Sequence, residues 1–274
     1  MTSAVRAAPP VASTDAALGL DFVRQSLAIA EVEVRKLSRD PTELLTRAVQ
    51  PALWLVVFGQ VFTRVRAIPT GDLSYIEFMA PGVLAQSVLF SAIFFGIAAI
   101  WERDLGIIHK LLVSPAYRGA LVMGKALSAG LRGLTQAVIV YLLALVMGVH
   151  LRFAPAALLG VAAIVMLGSA LFATFSLIVA CVVKTRERFM GIGQVLTMPL
   201  FFASNAIYPL SIMPAWLRGV ARANPLTYLV DALRGLMVSG GHSVFGAGPD
   251  VLVQAAVFAV LLTVAARLYP GLVR

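Results

Sequence analysis

The sequence predicts an all-α integral membrane protein with six transmembrane helices. Of its 274 residues, 60% are hydrophobic and only 13% are charged, and the mean hydropathy is +0.91. Soluble domains contain roughly 45–50% apolar and about 25% charged residues. The hydrophobic residues also gather in uncharged runs, and several runs approach or exceed the about 20 residues that a helix needs to cross the hydrocarbon core.

The first 47 residues precede the first apolar run and divide into two parts. Residues 1–19 are rich in Ala, Pro and Ser without a continuous apolar core, so we predict a flexible tail and no secretory signal. In residues 20–47, apolar residues recur three and four positions apart, which predicts an amphipathic helix on the membrane surface. Packing of this helix on the protein is the alternative. Its apolar face consists of Leu20, Val23, Leu27, Ala30, Val34 and Leu37.

Residues 48–270 are predicted to form a six-span transmembrane domain. The spans are assigned to 48–63, 78–101, 133–151, the run 153–183, 190–207 and 251–266. The third and fourth spans are joined by a very short connection, which predicts an antiparallel helical hairpin.

The segment before the last span is predicted to enter the membrane without crossing it. Asn224 can cap a helix, and Pro225 suits the first helical position. Asp231 and Arg234 lie three residues apart in this helix, so their side chains can pair. Because the helix is short and charged, we predict a re-entrant or interfacial pair of helices over 209–237.

Lys and Arg are distributed unequally between the two sides of this arrangement. With the spans drawn as above, 16 of the 22 Lys and Arg residues fall on the side of both termini and 6 fall on the other. Cytoplasmic loops carry an excess of Lys and Arg, so both termini are predicted to be cytoplasmic. This bias accounts for the net charge of +9 without a nucleic-acid partner.

The sequence lacks the common signatures of catalysis. It contains no GxxxxGK[ST], HExxH or CxxC motif, so we predict no ATP hydrolysis and no metal site on this chain. No carboxylate lies inside the six spans as drawn, which disfavours a proton-driven antiporter. The alternatives that remain are a passive scaffold subunit and a lipid-modifying membrane enzyme, for which Asp231, Arg234 and His242 are the candidate residues.

The most charged connection runs from Trp101 to Arg118, with the sequence WERDLGIIHKLLVSPAYR. Ions in hydrocarbon cost several kcal/mol each, so this stretch is predicted to lie in water as a short helix.

Four stretches of the chain resemble ABC type-2 exporter permeases, particularly the daunorubicin-exporter-like drug-resistance type and the nodulation-factor exporters. The resemblance covers about residues 20–270. The stretches are QPALWLVVFGQVF at 50–62, FMAPGVLAQSVLF at 78–90, ERDLGIIHKLLVSPAYRGALVMGKAL at 102–127 and ANPLTYLVDALRGLM at 223–237.

This resemblance implies a half-transporter that works with separate ATPase subunits, which would carry the ATP and Mg²⁺. It also implies pairing with a second copy or a related permease in the bacterial plasma membrane. The implied substrate is a hydrophobic or amphipathic, drug-like small molecule, and a lipid-linked glycan or glycolipid is the alternative. Residues 20–47 would be a connecting helix near the ATPase.

The resemblance further assigns two functional regions. The first cytoplasmic loop would be a coupling helix that contacts the ATPase, and the 209–237 segment would form an extracellular gate. For Gly106 and Pro115 the alternative is a role in shaping the loop, and for Asp231 with Arg234 it is a structural pair. The coupling residues would be Glu102, Arg103, Gly106, Leu111, Leu112, Ser114 and Pro115. The gate residues would be Pro209, Asn224, Pro225, Tyr228, Asp231 and Arg234.

Overall fold

The computed structural model describes residues 24–28, 31, 35, 49–65, 68–107, 118–183 and 185–269. Within them the chain is mostly helical, without a β-strand apart from one isolated bridge between Leu151 and Val238. The helices are α1 (49–65, with a π-helical part at Trp54–Gly59), α2 (Tyr75–Asp104), α3 (Arg118–Val146), α4 (Pro155–Val182), α5 (Arg186–Phe202), α6 (Ala215–Ala223), α7 (Pro225–Met237) and α8 (Ala247–Leu268).

Four of these helices, α2, α3 from Gly119 onwards, α4 and α8, are long and apolar enough to cross a membrane. The predicted spans at 48–63 and 190–207 correspond to α1 and α5, which are shorter; α5 has 17 residues. The protein is therefore an all-α membrane protein with at least four helices of spanning length.

Several helix boundaries differ from the predicted spans because charged residues are incorporated at helix ends. Helix α2 extends from Tyr75 to Asp104, beyond both ends of the uncharged run 78–101. Helix α3 is one continuous helix from Arg118, well before residue 133. Helix α8 begins at Ala247, so Asp250 lies in its first turn. The helices therefore extend beyond the uncharged runs from which the spans were drawn.

Helix α2 forms the centre of the bundle. It begins with a capping box, in which the Ser74 side chain accepts from the Glu77 backbone N–H and the Glu77 carboxylate accepts from the Ser74 N–H. Every residue from Tyr75 to Leu89 is buried, and α2 packs against α3, α4, α5 and α7. At Gly82 the helix passes so close to the turn after α5 that an added Cβ would lie 2.4 Å from the Ala206 carbonyl oxygen.

Small residues let the other helices approach one another closely. Helices α3 and α4 form the predicted hairpin, and a Cβ on Gly133 of α3 would lie against the Ser169 hydroxyl of α4. A Cβ on Gly168 would be 2.8 Å from the Leu229 side chain of α7. The absent side chains thus allow α4 to contact α3 on one side and α7 on the other.

The segment 209–237 before the last long helix contains the two helices α6 and α7. The Asn224 side chain accepts from the Leu226 N–H, and Pro225 occupies the first turn of α7. The Asn224 amide also donates to the Leu200 and Ala203 carbonyl oxygens at 2.6 and 3.0 Å. One side chain therefore caps α7 and holds its start against the end of α5.

Candidate functional site

The first candidate site is a cluster of charged side chains from α2, α3 and α5. At its centre, Lys125 Nζ of α3 lies 2.5 Å from Glu102 Oε2 of α2. Their side chains are only 4% and 10% exposed. The Lys125 ammonium also lies 5.8 Å from the centre of the Phe95 ring. The pair thus joins α2 to α3 in a mostly apolar setting. We name Trp101, Glu102, Arg103, Asp104, Lys125 and Arg186 the α2–α3–α5 cluster.

A second ion pair in this cluster connects α5 to the end of α2. Arg186 Nη2 lies 2.7 Å from Asp104 Oδ2, and the neighbouring Arg103 contacts the other carboxylate oxygen at 2.9 Å. The Arg186 guanidinium also lies over the Trp101 ring, 3.9 Å from its centre. The Arg186 and Asp104 side chains are 35% and 37% exposed, so this pair is much weaker than the buried one.

The structure corrects the prediction that the chain enters water as a new short helix at Trp101. Residues Trp101–Asp104 are the last turn of α2, and Glu102 is buried because Lys125 neutralises it. The helix ends at Asp104, and Gly106 follows with a φ of +70°, which is readily adopted only by glycine. Of the other predicted coupling residues, Arg103 lies on α2, whereas Leu111, Leu112, Ser114 and Pro115 lie outside the described residues.

The second candidate site surrounds Asp231, which is fully buried on α7. Asp231 Oδ2 accepts from the Val244 and Phe245 backbone N–H groups at 2.7 and 3.0 Å, and it lies 2.8 Å from Ser243 Oγ. Asp231 Oδ1 accepts from the Asn205 amide at 3.3 Å. We name Asn205, Asp231, Arg234, Ser243 and Asp250 the α7–α8 cluster.

The predicted pairing of Asp231 with Arg234 is present but is not the closest contact of either residue. Arg234 Nη1 is 3.9 Å from Asp231 Oδ1, whereas Arg234 Nη2 donates to the Asn205 carbonyl oxygen at 2.7 Å. The guanidinium also lies 3.9 Å from the centre of the Phe78 ring of α2. Burial lowers the pKa of Arg234 to about 10, and the Asp231 carboxylate opposes this shift.

The remaining gate residues surround this cluster. Pro209 and Arg234 line a cavity of about 220 Å³, together with Asn205 and His242. The Tyr228 hydroxyl donates to the Arg222 carbonyl oxygen at 2.7 Å and so connects α7 to α6. Among the residues that the structure describes, no group of three or more His, Cys, Asp or Glu side chains could hold a metal ion.

The two clusters lie at opposite ends of α2. Phe78, beneath Arg234, and Glu102 are 24 positions apart on one helix. At 1.5 Å per residue this is about 36 Å, more than the ~30 Å hydrocarbon thickness. A bilayer around α2 can therefore leave both clusters near its surfaces.

Comparisons with known proteins identify the family of this chain. The profile of the ABC-2 type transporter family matches residues 24–238. The chain belongs to this family. Members of the ABC-2 family are permeases that work with an ABC ATPase subunit, often as dimers.

Three similar ABC-2 relatives cover most of the chain. A putative transport permease, ycf38, from Cyanophora paradoxa is 27% identical over 78% of this chain and 74% of its own. The daunorubicin resistance ABC transporter permease protein DrrB1 from Streptomyces coeruleorubidus is 26% identical, covering 84% and 80%. The inner membrane transport permease YadH from Escherichia coli strain K12 is 25% identical, covering 68% and 73%.

The sequence prediction missed several members of the two clusters in this ABC-2 permease. Lys125 was placed before the third span, and Asp250 was placed outside the last span. A charged residue beside a long apolar run can face water or have a buried partner, and the sequence alone does not distinguish the two. Asn205 and Ser243 carry no charge, and their roles depend on contacts with the distant Asp231.

Proposed function

We propose that this chain is the membrane subunit of an ATP-driven exporter in the bacterial plasma membrane. The supporting observation is the buried Glu102–Lys125 pair, which joins α2 to α3 a few residues before Gly106 and the 107–118 connection. A force on this connection would act directly on two helices of spanning length, because a buried ion pair resists separation.

The proposed topology has six crossings, with α1 and α5 crossing in addition to the four long helices. The excess of Lys and Arg on one side supports cytoplasmic termini and a cytoplasmic α2–α3–α5 cluster. The α7–α8 cluster would then lie at the outer surface, where α6 and α7 would form a re-entrant pair. This arrangement is consistent with the roughly 36 Å that separate the clusters along α2.

The proposed partners are two ABC ATPase subunits and a second permease, which is either a copy of this chain or a related one. ATP-driven closure of the ATPase pair would move both 107–118 connections, and the permeases would shift between two packing arrangements. The ATPase must bind these arrangements with different affinities, since otherwise no shift occurs. ATP and Mg²⁺ would be bound by the ATPase subunits.

The proposed substrate is a hydrophobic or amphipathic drug-like molecule. This proposal draws on the daunorubicin resistance protein among the relatives. An integral-membrane lipid enzyme is less well supported, because Asp231 is fully buried and its oxygens already contact hydrogen-bond donors.

The direct test uses inverted membrane vesicles that contain the permease and the ABC ATPase encoded beside it. We expect ATP-dependent accumulation of doxorubicin, which Glu102→Gln reduces at least tenfold while the ATPase still co-purifies. Glu187→Gln, which changes an exposed carboxyl at the start of α5, is the matched control and should retain transport.

Two outcomes would contradict parts of the proposal. If no ATPase co-purifies with the wild-type chain, the exporter assignment fails. If an ATPase co-purifies and is active but doxorubicin does not accumulate, the drug-like substrate fails, and a lipid-linked glycan becomes the substrate to test.

A further inference from the structure

The hydrogen bonds of Ser243 are unusual because one hydroxyl contacts two carboxyl groups. Ser243 Oγ lies 2.8 Å from Asp231 Oδ2 and 2.8 Å from Asp250 Oδ2. It also accepts from the Gly246 backbone N–H at 2.6 Å. A serine hydroxyl has a single hydrogen to donate, so it cannot donate to both carboxylates. One of the two short contacts requires an additional proton.

The surroundings indicate which carboxyl carries that proton. Asp231 accepts from two backbone N–H groups and from the Asn205 amide, and Arg234 is nearby, so its charge is compensated. Asp250 is fully buried, and its Oδ1 atom has no hydrogen-bond partner among the residues that the structure describes. An ionised carboxylate with a buried unpartnered oxygen is costly, and a neutral one is far less so.

The charge balance leads to the same conclusion independently. Around the two buried carboxyls, α7 contributes one buried cation, Arg234. Arg152, which is partly exposed, donates to the Gly235 carbonyl oxygen of α7 at 3.2 Å. Helix α4 contains no charged residue, the second half of α3 contains only Tyr141 as an ionisable group, and His242 is an exposed residue of the connecting loop. Two ionised carboxylates would therefore share one fully buried cation.

The position of Asp250 in the first turn of α8 opposes this conclusion only weakly. A helix N-terminus favours an ionised carboxylate, but it changes the protonation equilibrium constant by only about tenfold or less. Gln254, one turn further along α8, is also fully buried and donates only to the Asp250 backbone carbonyl oxygen, at 3.4 Å, not to its carboxylate. The helix terminus does not replace the missing partner.

We propose that Asp250 is protonated and donates a hydrogen bond to Ser243 Oγ. This hydroxyl then links a neutral Asp250 on α8 to an ionised Asp231 on α7. Ser243 then accepts from Asp250 and Gly246 and donates to Asp231, which uses its full hydrogen-bonding capacity. Release of the proton to solvent leaves two carboxylates competing for one hydroxyl hydrogen. The connection between α7 and the last helix is therefore strengthened by proton binding and weakened as the pH rises.

Isosteric variants distinguish the two carboxyls. Asp250→Asn retains a neutral group that can donate to Ser243, and its melting temperature should stay within about 2 °C of the wild-type value. Asp231→Asn removes the charge that Arg234 and the loop N–H groups require, and should lower the melting temperature by more than about 6 °C. Asp72→Asn, at an exposed turn position, is the control and should have no effect.

The measurements use the purified full-length chain in lipid bilayers. Cys181 is the only cysteine, so a thiol-reactive dye reports its exposure on unfolding. The infrared spectrum of wild type minus Asp250→Asn should show the C=O band of a protonated carboxylic acid at about pH 5. As the pH is raised from about 5 to about 8, the band should disappear and the wild-type melting temperature should fall, whereas that of Asp250→Asn should not.

Two results would overturn the proposal. One is a wild-type spectrum without the carboxylic-acid band at about pH 5. The other is an Asp250→Asn variant that is destabilised as strongly as Asp231→Asn or fails to fold. Neither result depends on an ATPase partner, so both can be distinguished from a failure of the exporter assignment.

Discussion

The buried Glu102–Lys125 pair provides a quantitative prediction about what holds α2 to α3. Lys125→Met keeps most of the side-chain length but removes the charge that pairs with Glu102. Because both side chains are almost fully buried, the loss of one partner is expected to cost about 3–5 kcal/mol. Replacing both residues, in Glu102→Leu with Lys125→Met, should recover most of this loss, since an apolar pair carries no desolvation cost.

The assay is thermal unfolding followed by a thiol-reactive dye at Cys181. For a chain of this size about 1 kcal/mol corresponds to roughly 2–4 °C, so we expect Lys125→Met to lower the melting temperature by about 6–20 °C. The double variant should melt within about 5 °C of wild type. Arg186→Gln is the matched control, because its pair with Asp104 is one-third exposed and should contribute less than about 1 kcal/mol.

The double variant also tests whether the two charges of the pair are energetically coupled. If the effects of Glu102→Leu and Lys125→Met simply add, the two charges do not stabilise each other and the contact is incidental. If instead the double variant is stable but inactive in the vesicle assay, the ions act in transport beyond holding the helices together. The two readouts therefore separate the structural role of the pair from its proposed coupling role.

Two further predictions concern helix packing and capping, both measured as melting temperatures. Gly82→Ala should lower the free energy of unfolding by about 1–3 kcal/mol because its Cβ would overlap the Ala206 carbonyl oxygen. Gly191→Ala, which has open space around it in α5, should raise the free energy of unfolding by about 0.5–1 kcal/mol. If Gly82→Ala and Gly191→Ala shifted the melting temperature equally, the close contact between Gly82 and Ala206 would be contradicted. Ser74→Ala should cost about 1 kcal/mol through loss of the α2 cap, and exposed Ser211→Ala should stay within about 0.5 kcal/mol. An unchanged melting temperature in Ser74→Ala would show that the α2 cap does not stabilise the protein.

Features set by local chemistry were predicted correctly from the sequence. Asn224 and Pro225 start α7 because capping and the fixed proline φ angle act within one turn. The i, i+3 spacing also placed Asp231 and Arg234 on one side of α7. The closest partners, Asn205 for Arg234 and Val244 for Asp231, come from other segments, and no local rule could identify them.

Features that depend on charge burial were predicted less well. An ionisable residue next to an apolar run can face water or a buried partner, and the sequence alone does not distinguish these environments. Glu102 was expected in water but pairs with Lys125, which is 23 positions away. Asp250 was placed outside the last span but lies in the first turn of α8, beside Ser243. In both cases the contact that buries the charged residue is made by a distant part of the chain.

The contacts of α2 explain how an event at one end of the bundle can affect the other. Its last turn carries Glu102, which pairs with α3, and Asp104, which pairs with Arg186 of α5. Its first turn carries Phe78, which lies against the Arg234 guanidinium of α7. A displacement of the 107–118 connection along the α2 axis would therefore strain the α7–α8 cluster, unless α2 bends. Since the first half of α2 is buried on all sides, bending there would disrupt close packing, and movement of α2 as a unit costs less.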